Sequence, residues 1–547
     1  MENNRAAILD WLALALIVSV VTLQPHFMHG AINFYETGIY LPQISEFFHG
    51  KVFYRDMFVL RGPLEILMPA YLMEHFGKHI GVLNAYFYFG TVLTLIIYAI
   101  FALKIFKTRG FAYLFALVLV ARTFPRITFA VWGGIRFGFG ILAILLAVNF
   151  LRTRKTLWLF LAGIVSGIGF WTSFEIGAFS IISIIAMICF FAYFEKDIET
   201  AIRPLFTYII GILIVSFPFI FYLVSHSAFI PFVSTLKTTL IALCRTDVFD
   251  PALCFETPRN FKEFLLAFSP TNHNFKYTLP TLLYVPVGIY LFFRIIKRNN
   301  TLFDIAMIPV FIYGLLLYKA AFRDIEGPQY RIALQPLLLL MFFYLERAYI
   351  YVKNIKSAAF LKKALAVLFI VLVPLYSVVF SLYKYNKRFF IFKEVKSLVA
   401  DRRHTAIPYS EPEPLAIESG RAKGVIVPSH QARDIDLAVE YIRLYTDERE
   451  TVFTFPDLGA YNFFTDRPPL GRFYTAEFSF LHPAWFEELM SDLKREKPRY
   501  VICATNFSRL EPFRPVLGMY LDEVTEYLDE NYSIVRSYTN IKILRAR

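Results

Sequence analysis

Charge is scarce in this chain. Asp, Glu, Lys and Arg together make up 18% of 547 residues, against about 25% in an ordinary soluble domain. With 57% hydrophobic residues and a mean hydropathy of +0.51, that shortage excludes an ordinary cytosolic enzyme and a disordered chain. Cysteine is scarce too: four residues cannot frame a disulfide-built secreted module. No CxxC pair or His/Cys cluster offers a zinc site. Glycine and proline, 25 and 28 residues, follow no period, which excludes a fibrous repeat. The C-terminal part holds no GxGxxG, P-loop or GxSxG sequence, so the common dinucleotide, phosphate-loop and serine-hydrolase signatures are missing. What is abundant is long apolar blocks, with 60 Phe and 33 Tyr, the composition of lipid-facing and interfacial surfaces.

A helix of about 20 apolar residues crosses roughly 30 Å of hydrocarbon. Eleven such runs are predicted, at 6–24, 80–103, 110–123, 134–151, 157–174, 176–194, 204–225, 278–296, 301–319, 331–350 and 363–383. The first has no small-x-small cleavage pattern before Gln24-Pro25 and is read as a span rather than a signal peptide. With the N-terminus inside, the inner loops carry about 17 Lys and Arg in roughly 50 residues, and the outer loops about 13 in roughly 140, the asymmetry the positive-inside rule requires. That rule accounts for the net charge of +13 without a nucleic-acid partner. Eleven crossings then put the C-terminal 160 or so residues outside. Cys244 and Cys254 share one outer loop, where they either pair in an oxidising compartment or stay free; Cys189 and Cys503 read as packing residues.

Past residue 384 the apolar runs shorten and prolines return. The stretch 401–430 reads as an irregular connection. Helices are predicted at 434–445, 485–495 and 520–529, strands at 451–455 and 500–504, and a terminal hairpin at 532–538 and 541–544. The expected fold is therefore a polytopic α-helical membrane protein with about eleven spans (1–383) and a small C-terminal α/β domain on the outer, periplasmic side (384–547).

The outer loop at 25–79 is the richest in chemistry. Residues 38–48 place Ile39, Ile44 and Phe47 or Phe48 along one side, as a helix lying in the membrane interface would, and 63–76 forms a second such helix. Glu36 stands just before the first, among apolar and aromatic neighbours, where a half-buried carboxylate is costly unless it has a task. Tyr54-Arg55-Asp56 and Arg61-Gly62-Pro63-Leu64 follow. Glu175 lies between two spans, and an ionisable residue at that depth is a functional candidate. His26, His29 and His49 with Glu36 and Asp56 match no fixed ligand spacing, so no cofactor is expected and a divalent metal is a minor alternative.

The order of a first span, an acidic residue, an amphipathic helix, Gly50, Tyr54-Arg55-Asp56, Gly62-Pro63-Leu64 and a second amphipathic helix ending in Phe76-Gly77 resembles the GT-C superfamily of glycosyltransferases. The similarity is to the branch holding the protein mannosyltransferases and the lipid A aminoarabinose transferase. That branch often carries an Asp-Glu pair here; this chain has Tyr35 and only Glu36. The loop from Lys319 through Arg323-Asp324 to Tyr330-Arg331 is similar to the basic loop that precedes a late span in that branch. The resemblance implies an inverting transfer of sugar from a polyprenyl-phosphate donor to a hydroxyl of a glycan, lipid or protein acceptor, at the outer surface of the inner membrane. Such a reaction needs a base for the hydroxyl proton and positive charge for the departing phosphate. Glu36 is the expected base, with Asp56 as second candidate or as the partner orienting Arg55. Arg323 and Lys319 are the expected phosphate ligands, with Arg331, Arg61, Arg126 and Arg136 as alternatives. Arg323 beside Asp324 also reads as a simple ion pair. A flippase of lipid-linked sugars or a non-catalytic membrane scaffold are the competing functions. The first would put ionisable residues at mid-span, whereas here they cluster in outer loops and at span ends.

Overall fold

The computed structural model describes residues 2–22, 34–123, 134–197, 199–244, 262, 275–297, 301–321, 329–354, 368, 372, 414–507 and 514–547. The chain opens with α1 (Glu2–Val21), α2 (Phe34–Phe48), α3 (Leu64–Phe76), α4 (Ile80–Ile105), α5 (Arg109–Thr123), α6 (Ile135–Thr153) and α7 (Leu157–Thr172). It continues with α8 (Phe174–Glu195), α9 (Glu199–Ser225), α10 (Phe229–Cys244), α11 (Phe275–Ile296), α12 (Leu302–Ala321) and α13 (Gln329–Asn354). The tail holds β1 (Pro414–Ala416), β2 (Ile426–Pro428), α14 (Ser429–Tyr445), β3 (Val452–Phe455), α15 (Ala460–Thr465), α16 (Ala476–Ser479) and α17 (Pro483–Glu496). It ends with β4 (Tyr500–Ala504), α18 (Arg514–Asn531), β5 (Tyr532–Ser537) and β6 (Ile541–Ala546). Among the described residues six helices are long and apolar enough to cross a membrane, and several shorter ones are strongly apolar; the protein is a multi-pass membrane protein. The run predicted at 363–383 lies almost wholly outside the described residues.

Two compact units emerge, one formed by residues 1–25, 87–216 and 251–401, the other by 26–86, 217–250 and 402–547. In the first, helices with little polar surface must associate in a solvent as apolar as they are, so small residues and internal hydrogen bonds do the fitting. A Cβ on Gly163 of α7 would lie 2.1 Å from the Tyr208 carbonyl of α9, and one on Gly211 2.4 Å from the Phe160 carbonyl. The two backbones touch there because neither has a side chain. Beside that crossing, Tyr208 donates its hydroxyl to Ser166 Oγ at 2.8 Å, and Trp171 Nε1 donates to Ser216 Oγ at 3.0 Å. Glu346 of α13 accepts from the backbone N–H groups of Lys107 and Thr108, satisfying donors that the start of α5 leaves open. Cys189, expected to pack, is exposed on α8: a membrane helix turns apolar residues outward as readily as inward.

The second unit is built around a four-stranded sheet in the order β3-β4-β6-β5, with β3 and β4 parallel and the rest antiparallel. Every residue of β3 and of β4 is buried, as expected of strands covered on both faces, and burial holds the Cys503 thiol up at about 12. Asp434 of α14 accepts from the backbone N–H groups of Thr539 and Asn540, clasping the β5–β6 turn. Inside the stretch expected to be irregular, β1 and β2 form a short antiparallel ladder. The long loop between the runs at 204–225 and 278–296 contains α10, sixteen residues. At 1.5 Å per residue such a helix falls short of a span, so apolar spacing alone did not flag it as a separate element.

Candidate functional site

Within the second unit, α2 and α3 are the two helices expected at 38–48 and 63–76. Pro42 sits inside α2 and has no N–H for the Gly38 carbonyl one turn back. That carbonyl faces Gly459 instead: a Cβ at 459 would lie 3.1 Å from it and 2.5 Å from the Tyr474 carbonyl. The site helix therefore meets the start of α15 backbone to backbone.

Between α2 and α3 the chain makes a tight turn centred on Asp56. Val52 N–H donates to Asp56 Oδ2 at 3.0 Å, Asp56 N–H returns to the Val52 carbonyl at 2.9 Å, and Tyr54 N–H reaches the Met57 carbonyl at 2.9 Å. Arg55 holds both Asp56 oxygens at 2.8 Å and donates to the His226 carbonyl at 3.1 Å. The Arg55 hydrogen bonds, set against partial burial, hold the Asp56 carboxyl below its usual range. Tyr54 adopts a left-handed φ of 67°, uncommon for a bulky residue. Its hydroxyl donates to the Arg61 carbonyl at 3.1 Å and its ring meets Phe232 of α10 edge-on. Beyond the turn, Phe58 is fully buried among Phe473, Tyr474, Phe478 and Trp485, and its N–H donates to the Arg472 carbonyl at 2.8 Å.

This folding of the loop brings its end, residues 59–66, against α2 and forms a narrow cleft. Ile39 and Ile66 supply apolar wall; Tyr40, Gln43, Arg61 and Glu65 supply the polar groups. Tyr40 donates its hydroxyl to Glu65 Oε1 at 3.0 Å, and the Arg61 guanidinium lies 5.2 Å from the Tyr40 ring centroid. Glu65 and Gln43 are 1% and 2% exposed. A buried acid, a phenol and a guanidinium thus share one notch. Lower on α2, Glu46 is also buried, with neither carboxylate oxygen hydrogen-bonded. Burial, offset by the Lys51 ammonium and reinforced by Asp56, pushes its carboxyl up to about 7.

The positions expected to carry chemistry are distributed as follows. Tyr35 and Glu36 lie in the first turn of α2, with side chains outside the described residues. Positions 36, 40 and 43 fall on one face of that helix by its period. Arg61 lines the cleft and Asp56 shapes the loop that forms it. Arg136 is buried in the first turn of α6, 4.8 Å from the Phe137 ring centroid. Glu175, in the first turn of α8, and Lys319, in the last turn of α12, are exposed. Arg331 belongs to α13 by its backbone. Arg126, Arg323, Asp324 and Cys254 lie outside the described residues. Tyr40, Gln43, Glu46 and Glu65 were not singled out from the sequence. The usable signal was an acid or amide set inside the apolar register, as in Leu64-Glu65-Ile66 and Gln43-Ile44.

No family model matches the chain, and comparison with curated proteins found no relative. Among solved structures the chain is similar to ArnT from Cupriavidus metallidurans bound to undecaprenyl phosphate. The identity is 12%, the match covers 98% of this chain and 97% of that one, and the TM-score is 0.52. The apo state of the same protein matches with 12% identity, 99% and 98% coverage and a TM-score of 0.52. The two chains share one fold nearly from end to end, so the polytopic helical architecture with a small C-terminal α/β part expected from the sequence holds for this protein.

Proposed function

We propose that this protein is a membrane glycosyltransferase that takes a sugar from a polyprenyl-phosphate donor and passes it to an acceptor hydroxyl. The observation that carries the proposal is the end-to-end likeness in fold to a protein crystallised with undecaprenyl phosphate. The cleft supports it: a cation, a phenol and a buried acid line it together, the phenol on the α2 face that also carries position 36.

In this mechanism the acceptor oxygen attacks the anomeric carbon while its proton passes to Glu36. The bond from that carbon to the lipid phosphate breaks, and the bonding pair leaves on the phosphate oxygen. Arg61 meets that developing charge with forked donors, and Arg323, Lys319, Arg331, Arg126 and Arg136 are the further cations available for it. Attack opposite the leaving group inverts the anomeric centre. Asp56, tied to Arg55 and to Val52 N–H, acts by shaping the loop that presents Arg61. Transfer takes place on the outer side of the inner membrane, with the N-terminus cytoplasmic and no resident cofactor.

The test uses purified protein in detergent and membranes from cells expressing it. Undecaprenyl phosphate binds the wild type, and Arg61→Ala weakens that binding about tenfold or more. Glu36→Gln keeps the binding and loses transfer of radiolabelled sugar from undecaprenyl-phosphate donors. Full transfer by Glu36→Gln would remove Glu36 as the base; absence of lipid binding by the wild type would overturn the proposal.

A further inference from the structure

Gln43 is anchored at one end and open at the other. Its side-chain nitrogen donates to the Ile39 carbonyl one turn back. That bond fixes the amide orientation, because a flipped amide would set oxygen against oxygen. The remaining oxygen, Oε1, is buried, has no hydrogen-bond partner, and belongs to a residue lining the cleft beside Arg61 and Glu65. A buried acceptor without a donor is uncommon in a folded protein and calls for one. The donors lining the cleft do not reach it: Tyr40 gives its hydroxyl to Glu65 Oε1, and the Arg61 guanidinium makes no hydrogen bond to Gln43 Oε1.

We propose that Gln43 Oε1 reads the sugar: it accepts a hydrogen bond from one hydroxyl or amino group of the donor's sugar, entering the cleft while Arg61 faces the phosphate. The cleft is too narrow for a whole ring, so it selects by a single polar tip. This inference rests on the proposed function and names a specificity determinant for it. An acceptor held in a narrow, walled notch discriminates strongly against a sugar that lacks the matching donor.

The experiment measures binding of undecaprenyl phosphate, bare and carrying glucose or mannose, to wild type and Gln43→Met. Methionine keeps the length and apolar bulk and removes the acceptor. The expected result is that wild type prefers a sugar-bearing lipid over the bare one, that Gln43→Met loses about tenfold of that preference, and that both bind the bare lipid equally. As a measurement independent of any variant, monodeoxy sugars on the same lipid are offered to the wild type, and removal of one particular hydroxyl reproduces the loss. A preference unchanged in Gln43→Met, no single hydroxyl that matters, or no preference for any sugar in wild type would each overturn the inference; the first would leave a water as the occupant of the cleft. Wild type that binds bare undecaprenyl phosphate but shows any of these results keeps the proposed function. Wild type that binds no undecaprenyl phosphate loses both.

Discussion

Replacing Glu46 by glutamine should stabilise this protein increasingly as pH rises from about 4.5 to 7. The carboxyl is buried on α2 with neither oxygen hydrogen-bonded, and burial raises it from 4.5 to about 7. In the unfolded chain it loses its proton near 4.5; in the folded chain it keeps it until about 7. Below 4.5 both states are protonated and the group is neutral to stability. As pH rises from 4.5 to 7 the folded state must hold a proton that the unfolded state has released, so stability falls through that window and then levels off. The gap corresponds to about 3 kcal/mol, an upper figure because local relaxation and water entry reduce it. Glutamine has nearly the same shape and cannot ionise. Comparison at pH 4, where the carboxyl is mostly protonated in both states, therefore gives the cost of the amide itself, and the change between pH 4 and pH 8 isolates the ionisation. Thermal unfolding in detergent should show the Glu46→Gln protein gaining roughly 3–6 °C on wild type between those two pH values. A difference that is the same at both pH values, or that favours wild type more at pH 8, would refute the burial argument.

Other perturbations follow from the same geometry. Phe58→Ala should empty a fully enclosed aromatic slot and cost about 3–5 kcal/mol, read as a lower unfolding midpoint and faster proteolysis of the tail. Gly459→Ala places a Cβ 2.5 Å from the Tyr474 carbonyl; expression and midpoint should both fall, by about 1–3 kcal/mol in stability. Asp56→Asn should cost at most about 1 kcal/mol, because its partner Arg55 is half exposed. The Asp56 carboxyl lies below its ordinary 3.8, so its pairing is fully present above that value and lost as pH falls through the lowered one. The stability difference between wild type and Asp56→Asn should accordingly stay flat from pH 5 to 8 in unfolding scans and shrink only in acid.

Much of the architecture could be read without coordinates. Tyr500–Ala504 is five apolar residues between Lys497-Pro498-Arg499 and a polar stretch, and it forms β4 as expected. Ile39, Ile44 and the paired Phe47-Phe48 gave away the helix that forms α2. The missed elements are those whose stability is not local. The four- and six-residue helices α16 and α15 are too short to print a period; α16 is held by Phe478 in the Phe58 cluster and α15 by its start against Gly38. The site was less legible than the fold. Glu36 drew notice because acids are rare there, whereas Glu65 and Gln43 look like ordinary polar positions on amphipathic helices. Their burial arises only when the Asp56 turn folds residues 59–66 back onto α2, a long-range event that no helical or strand period encodes.

The slot that holds Phe58 also sets an order of events during synthesis. Its walls, Phe473, Phe478 and Trp485, leave the ribosome more than 400 residues later. Until residue 485 has been translated, Phe58 has no slot to enter, so the turn before it and the stretch after it stay unanchored through most of synthesis.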